Sequence, residues 1–280
     1  MDGPPGVESM SDFGRRVSRL LLPLVLCGCI REPSSSTIPQ NMALIPAGPF
    51  TMGSDKVDVD QQGAEFGSKK PWYLDEHPAH IVILPAYLID RTEVTNGQYR
   101  IFVEATRSRR PGSWGDGAIR PEYENYPVTE VNWYEADHFC RWAGKRLSSE
   151  AEWEKASRGT DAREFPWGND FDPKKANTAA SDFGRLLPVG SFPEGASPYG
   201  VLDMAGNVME WVDDWYLPYS GSKDVSPLYG RKNKVFRGGG FGSENGHYAL
   251  PLFYRSAYRS SSPPEESYVD LGFRCAKSLP

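Results

Sequence analysis

The segment 199–215, YGVLDMAGNVMEWVDDW, constrains the fold most, because glycine, asparagine and acidic residues interrupt its apolar residues. It follows neither a helical nor a strand period, so it predicts an irregular, buried connection. Asp203 and Glu210 supply carboxylates, and Gly206 allows a turn that aims its own carbonyl and that of Val208 inward. Such oxygen ligands suit Ca²⁺. A Gly-Asn turn between core aromatic residues explains the same pattern without a metal, and both interpretations stay open.

The composition indicates a loop-rich domain with a core of large rings. The chain has 280 residues, with 12% aromatic residues, 28 Gly and 24 Pro. This length allows one large domain or two small ones. The net charge of −6 excludes a basic surface for nucleic acid, so no nucleic-acid partner is expected.

The first residues have the pattern of a secretory signal. Arginines at 15, 16 and 19 precede a short apolar run at 20–26, followed by small residues. A positive region, a short apolar region and small residues at the cut predict a signal peptide over residues 1–28. Met10 is an alternative start that gives an ordinary positive region. An uncleaved anchor or a plain apolar stretch is the alternative interpretation.

The sequence at 26–29, Leu-Cys-Gly-Cys, is similar to a bacterial lipobox, with Cys29 as the lipidated first residue of the mature chain. It departs from the usual pattern at Cys27, where Ala or Ser is common, and Pro23 interrupts the apolar run. Residues 29–41 are rich in Pro and Ser and predict a flexible tether. We therefore expect a lipid-anchored protein of the bacterial cell envelope, on the periplasmic or outer-membrane face.

The body begins with strand patterns. Residues 42–53 predict two short strands around a Pro-Ala-Gly turn, residues 54–75 a loop, and residues 77–89 one strand. His77 and His80 have a spacing found in metal sites. Their extended context and the lack of nearby histidines favour structural roles instead.

Three capping boxes predict three short helices, beginning after Thr95, Asn132 and Ser149. Each cap is followed three residues later by Gln or Glu. The second helix has apolar residues at helical spacing, which predicts one buried stripe. The members of that stripe are Trp133, Ala136, Phe139, Cys140 and Ala143. Beyond residue 168 the chain predicts turns and short strands.

Several long motifs occur in a fixed order along the body. They read PVTEVNWYEADHFCRWAGKRLSSEAEWEKASRG, FPWGND, YGVLDMAGNVMEW, FRGGGF and LGFRCA. This ordered set resembles the formylglycine-generating enzyme family, also called the sulfatase-modifying-factor family, from about residue 42 to 276. The resemblance implies one α+β domain over residues 42–280, loop-rich and a variant of the C-type lectin fold.

The resemblance also implies two Ca²⁺ sites. Asp203, Gly206, Val208 and Glu210 match the first site, with Asp203 where Asn is common in the family. The second site is matched by Asn177, the carbonyl of Thr178, Asp182 and, less securely placed by spacing, Gly184.

The family carries a disulfide between its second helix and its C-terminal GFRC motif, and Cys140 and Cys275 occupy both positions. A second family disulfide is missing, because Ser157 and Ser256 stand at its two places. When a disulfide is lost in a family member, both of its cysteines are expected to be replaced together.

The most important difference between this sequence and the family pattern lies after Gly239. Formylglycine-generating oxidases have two cysteines here, which bind Cu(I) and activate O₂, whereas this chain has Ser243 and, near the second position, Tyr248. A soft Cu(I) ion requires soft thiolate ligands. We therefore expect neither copper nor catalytic residues at these positions. The iron-dependent branch of the family is not indicated either, because the added histidine-bearing helical domain is missing.

Two functions remain open. The first is a non-catalytic, lipid-anchored and Ca²⁺-stabilised module that binds an envelope protein or peptide, as in a lipoprotein branch of the family without the cysteines. The second is a formylglycine-generating oxidase, or a related oxidase, with an altered active site.

The lipobox generates a direct test. Labelled palmitate should enter the wild-type protein in a bacterial host and not the Cys29→Ala variant, because acylation occurs on that thiol. A Cys27→Ala variant serves as the matched control and should keep the label. Equal labelling of wild type and Cys29→Ala would rule out this lipid anchor.

Overall fold

The computed structural model describes residues 1, 3, 38–59, 61–65, 71–115, 117, 119–242 and 250–280. Nearly all of the predicted signal peptide, Cys29 and most of the tether lie outside the described residues, as do Ser243 and Tyr248. Residues 36–280 form one compact unit. Within the described part, every helix is too short or too polar to cross a bilayer.

Short strands dominate the regular structure. In chain order they are β1 Met42–Ile45, β2 Gly48–Met52, β3 His80–Leu84, β4 Tyr87–Asp90, β5 Arg146–Leu147, β6 Met209–Trp215, β7 Lys234–Arg237, β8 Ser260–Ser262, β9 Leu271–Phe273 and β10 Cys275–Ser278. They form an antiparallel sheet β1-β4-β10-β5, a β2-β3 ladder and a sheet β8-β7-β6-β9. In the last sheet β6 and β9 are parallel. The predicted α+β class is confirmed.

The described helices are α1 Gln62–Glu65, α2 Asn96–Thr106, α3 Trp133–Trp142 and α4 Glu150–Arg158. The three predicted capping boxes are all present, with both reciprocal hydrogen bonds at Thr95, Asn132 and Ser149. The stripe on α3 is buried as expected except at Ala143, which is exposed because the helix ends one residue earlier. The single turn of α1 interrupts the loop predicted for residues 54–75.

The prediction of one strand over residues 77–89 was wrong. Pro85 lacks the N–H that a continuous ladder requires, and the chain breaks there into β3 and β4, which belong to different sheets. The side chains of the two strands also differ in burial. Ile81 and Ile83 are exposed, at 65% and 75%, whereas Tyr87 is fully buried.

The irregular connection predicted over residues 199–215 is correct only for its first half. Asp203, Gly206 and Asn207 have left-handed backbone conformations. From Met209 onward the chain is β6, whose first four residues are all buried. Because β6 is central and covered on both faces, its sequence shows no alternation, and the strand signal was lost.

The predicted disulfide is confirmed. Cys140 on α3 is bonded to Cys275 on β10, with their Cα atoms 5.6 Å apart. Both cysteines belong to a core cluster that includes Tyr99, Phe139 and Phe273. The bond therefore fastens a helix to the central part of the first sheet inside a dry aromatic core.

The structure brings together the two serines that stand where the family has its second disulfide. The hydroxyls of Ser157 and Ser256 are 2.7 Å apart and buried. The carbonyl of Ser256 also accepts a hydrogen bond of 2.6 Å from Arg237, which is paired with Glu150 and Glu154 on α4. Polar contacts thus join the segment around Ser256 to α4 without a covalent link.

The disulfide should contribute strongly to stability. Its two cysteines are 135 residues apart in sequence, so the loop-closure model gives at most about 5 kcal/mol. The Cys140→Ala/Cys275→Ala double variant should lose up to this free energy of unfolding, measured with urea. Titration of two free thiols in the unreduced, denatured mature protein, which lacks Cys27 and carries lipid on Cys29, would contradict the bond.

Asp214 should make stability depend on pH. Burial raises its pKa from 3.8 to about 6, against the opposing hydrogen bond from the Glu150 backbone N–H. A raised native pKa gives stability that is present below pH 3.8 and is lost as pH rises to about 6. Between pH 3.8 and about 6, the free energy of unfolding of the wild type should therefore fall by about 1–3 kcal/mol relative to that of Asp214→Asn. Asp170→Asn, a change at an exposed aspartate, is the control. If the difference in unfolding free energy between the wild type and Asp214→Asn did not change with pH, the raised pKa of Asp214 would be contradicted.

Candidate functional site

The site begins with a buried carboxylate on β6. Glu210 is fully buried, and its two oxygens accept hydrogen bonds of 2.6 and 2.7 Å from the guanidinium of Arg274. The indole N–H of Trp153, on α4, donates a third bond of 2.9 Å. Glu210 is therefore held by two opposite elements and has a fixed orientation.

Two more carboxylates lie beside this pair. Glu93, from the turn between β4 and α2, and Asp203 are both buried. Burial and then the charge of Asp203 raise the pKa of Glu93 well above its usual range, and burial raises that of Asp203. Asp203 accepts one hydrogen bond of 2.6 Å from the Gly190 N–H, and Glu93 accepts one of 3.0 Å from the Asn207 amide.

The charges in this region do not balance. Arg274 is the cation that acts on Glu210, Glu93 and Asp203 together, so three ionised carboxylates would leave an excess of two negative charges. Among the described residues, no donor reaches Oε2 of Glu93 or Oδ1 of Asn177, although both atoms are buried. A divalent hard cation with oxygen ligands would neutralise the excess and use such atoms. The residues present therefore fit Ca²⁺.

The second predicted set lies against the first. The amide of Asn177 donates to the side chain of Asn207 at 3.0 Å and to the carbonyl of Arg185 at 2.9 Å. The Thr178 carbonyl accepts the N–H and hydroxyl of Ser181, at 3.0 and 2.7 Å. The Arg185 carbonyl, which follows the predicted Gly184 in sequence, thus lies beside Asn177.

The remaining predicted ligands differ in burial. Asp182 and Gly184 are exposed on the same loop, whereas Val208 is fully buried at the start of β6. Gly206 touches the loop directly, because a Cβ there would lie 2.2 Å from the carbonyl oxygen of Asn177. Only glycine permits this approach. No three carboxylate, imidazole or thiol groups converge among the described residues, so carbonyl and amide oxygens would supply much of any Ca²⁺ coordination.

Sequence reasoning missed Glu93 and Arg274. Glu93 lies 110 residues from Asp203, and nothing local in the sequence links them. Arg274 carried a usable signal, because an arginine inside the apolar run LGFRCA must be buried with an acid. The histidines, in contrast, have the expected structural roles. His77 contacts the carbonyl of Lys56, and His80 contacts that of Pro78 at 2.9 Å.

A cleft of about 570 Å³ lies beside the loop of residues 177–186, which carries the second predicted set of Ca²⁺ ligands. We call it the aromatic cleft, because Trp114, Tyr123, Tyr126 and Phe241 line it. Buried Asn96 fixes its floor by accepting the indole N–H of Trp114 at 2.7 Å. The cleft is thus preformed by hydrogen-bonded aromatic side chains.

The aromatic cleft is joined to the candidate calcium region through the backbone. Phe241 donates its N–H to the carbonyl of Asn207 at 2.9 Å, and Arg185 lines the cleft while its carbonyl accepts from Asn177. Phe241 is also two residues before Ser243 in sequence. The family's first cysteine position therefore follows directly on a residue of this cleft.

The fold and this arrangement define a single loop-rich α+β domain of the formylglycine-generating-enzyme type, a C-type-lectin-like variant. Residues 31–279 match the sulfatase-modifying factor enzyme 1-like domain. The chain therefore belongs to that family.

Similar proteins agree with this assignment. A formylglycine-generating enzyme of Bos taurus is 31% identical, over 97% of this chain and 83% of its own length. One from Streptomyces coelicolor is 32% identical, over 88% of this chain and 92% of its own. The structure of PvdO from Pseudomonas aeruginosa has a TM-score of 0.65 and 31% identity, and covers 85% of this chain and 94% of its own.

Calcium should stabilise the fold through Glu93. At free Ca²⁺ a hundredfold above Kd, linkage gives about 2.7 kcal/mol, so a chelator should lower the Tm. Glu93→Gln removes a carboxylate that a bound Ca²⁺ would keep ionised, so it should blunt this response and leave the Tm of the chelated protein nearly unchanged. Glu104→Gln, an exposed change on α2, is the control. A Tm that a chelator does not change would favour the metal-free turn.

Proposed function

We propose that this chain is a lipid-anchored protein of the bacterial cell envelope whose domain binds a protein or peptide partner without oxidising it. The observation that carries this proposal is the loss of the thiol pair. Of four cysteines, two precede the body, and the other two, Cys140 and Cys275, are bonded to each other. The body therefore has no free thiol for Cu(I) at positions 243 and 248.

A hydroxyl does not replace these thiols. Ser243 and Tyr248 bear neutral hydroxyl groups at physiological pH, and neutral oxygen is a poor ligand for a soft ion. Serine also has no accessible redox chemistry of the thiolate type. Recognition of a partner has no such requirement, because a preformed cleft with apolar walls and placed polar groups suffices for binding.

Calcium has a structural role in this proposal. Asp203 and Glu210, with the carbonyls of Gly206 and Val208, would hold one ion, and Glu93 would lie beside it. Asn177, Thr178, Asp182 and a carbonyl near Gly184 would hold a second. These ions would fix the loops that carry Phe241 and Arg185 into the aromatic cleft, since coordinated loops lose conformational freedom.

The proposed attachment of the protein to a membrane rests on the predicted signal peptide and Cys29. A lipid on Cys29 and the tether to residue 41 would hold the domain close to a membrane and let it reach a neighbouring envelope protein. Acyl chains give attachment that the short apolar run at 20–26 would not give alone.

The alternative is an oxidase with an altered centre. The formylglycine-generating enzymes that this chain matches along most of its length favour it. An activity of that kind would need a redox centre outside positions 243 and 248, since no thiol is available there.

A peptide assay separates the two functions. The copper-loaded protein, incubated under air with a Cys-x-Pro-x-Arg peptide, should leave the peptide mass unchanged. The Streptomyces coelicolor formylglycine-generating enzyme, treated in the same way, is the positive control. Time- and enzyme-dependent conversion of the cysteine to formylglycine by this chain would overturn the proposal and establish the alternative.

A further inference from the structure

We infer that the partner presents an extended acidic peptide, with carboxylates next to apolar side chains, to the aromatic cleft. This inference rests on the proposed binding function and specifies the chemistry of its ligand. It follows from where the arginines of an otherwise acidic chain are placed.

Two arginines line the aromatic cleft although the chain as a whole carries −6. Arg120 and Arg185 are exposed and line it. Among the described residues that line it, Glu130 is the one acid, and its charge acts on Arg109. The rim of the cleft therefore offers guanidinium groups to a ligand, and a guanidinium binds a carboxylate through two parallel hydrogen bonds.

A second depression is also lined by Trp114. We call it the arginine groove. It has a volume of about 270 Å³ and is lined by Arg100, Arg107, Arg110 and Trp114. Arg100 is paired with two glutamates at 3.0 Å. Arg107 and Arg110 are exposed and have no acidic partner in the described part of the chain.

The shape of the combined surface favours a chain over a compact molecule. The cleft and the groove are both lined by Trp114, so they are neighbours, and each has arginines in its lining. The ring of Trp114 is itself buried against Tyr99. Apolar side chains of a ligand would therefore meet the rings of Tyr123 and Tyr126 in the cleft. An extended peptide can place carboxylates on the arginines and apolar side chains on the rings at the same time.

The rim arginines are available to a ligand. The guanidinium of Arg120 lies 4.7 Å from the centre of the Tyr123 ring, which orients it. Its ion pair with Glu122 is 3.5 Å long, and the two side chains are 68% and 58% exposed. Such an exposed pair is weak, so a ligand carboxylate in the less solvated cleft can replace it.

This chemistry differs from that of the substrate implied by the family resemblance. The Cys-x-Pro-x-Arg peptide carries a cation, which Arg120 and Arg185 would repel. The surface thus selects for a ligand of the opposite charge.

Three labelled peptides test the inference by fluorescence anisotropy with the full mature chain in the presence of Ca²⁺. One alternates Glu and Leu, and the others replace Glu with Gln or with Lys. The Glu peptide should bind at least about tenfold more tightly than the Gln peptide, and added salt should weaken it. Arg120→Gln and Arg185→Gln should each reduce its affinity about tenfold, the low end for a charged hydrogen bond.

Arg231→Gln, an exposed change on the loop between β6 and β7, is the matched control and should not alter binding. Equal or tighter binding of the Lys or Gln peptide would overturn the acidic-ligand inference while leaving a binding function in place. If neither Arg120→Gln nor Arg185→Gln changed the affinity, the inference that the peptide binds in the aromatic cleft would be overturned. Failure of the proposed function itself would appear separately, as formylglycine formation in the peptide assay.

Discussion

The ion pair between Arg274 and Glu210 is the interaction on which the rest of the structure depends. Arg274 lies between β9 and β10, at the point where the chain passes from one four-stranded sheet to the other. Its guanidinium binds Glu210 on β6 and also donates to the carbonyls of Asp90 and Leu202, at 3.1 and 2.9 Å. One fully buried side chain therefore connects both sheets with the irregular segment that precedes β6. Removing Arg274 would leave Glu210 buried without its counter-charge, which costs several kcal/mol.

The neighbouring residue strengthens the same junction by different means. Cys275 follows Arg274 directly and is bonded to α3. Its N–H also donates to the side chain of Asp90 at 3.1 Å. A covalent bond, an ion pair and main-chain hydrogen bonds thus meet within two residues. In a domain with so little regular structure, such a concentrated junction replaces the continuous packing that long helices or wide sheets provide.

This framework explains how the fold persists without the family's thiols at 243 and 248. The contacts described above for Arg274, Glu210 and the disulfide are with other residues, namely Asp90, Leu202 and Trp153. The second family disulfide is replaced by the hydrogen bond between Ser157 and Ser256 and by the buried pairs of Arg237 with α4. The framework of the described residues is therefore held together by these ion pairs, hydrogen bonds and one disulfide.

The sequence by itself determined the elements whose signals are local. The three capping boxes fixed the helix starts, and the ordered motifs identified the family and the pairing of Cys140 with Cys275. Local patterns failed where burial on both faces removed the period, as in β6, and where one proline divided a strand, as at Pro85. Only the tertiary structure decided that Glu93 and Asp203 share one guanidinium, and that Trp114 lines two arginine-bearing depressions. Those relations join residues far apart in the chain, and loops rather than periodic elements place them, so no local pattern encodes them.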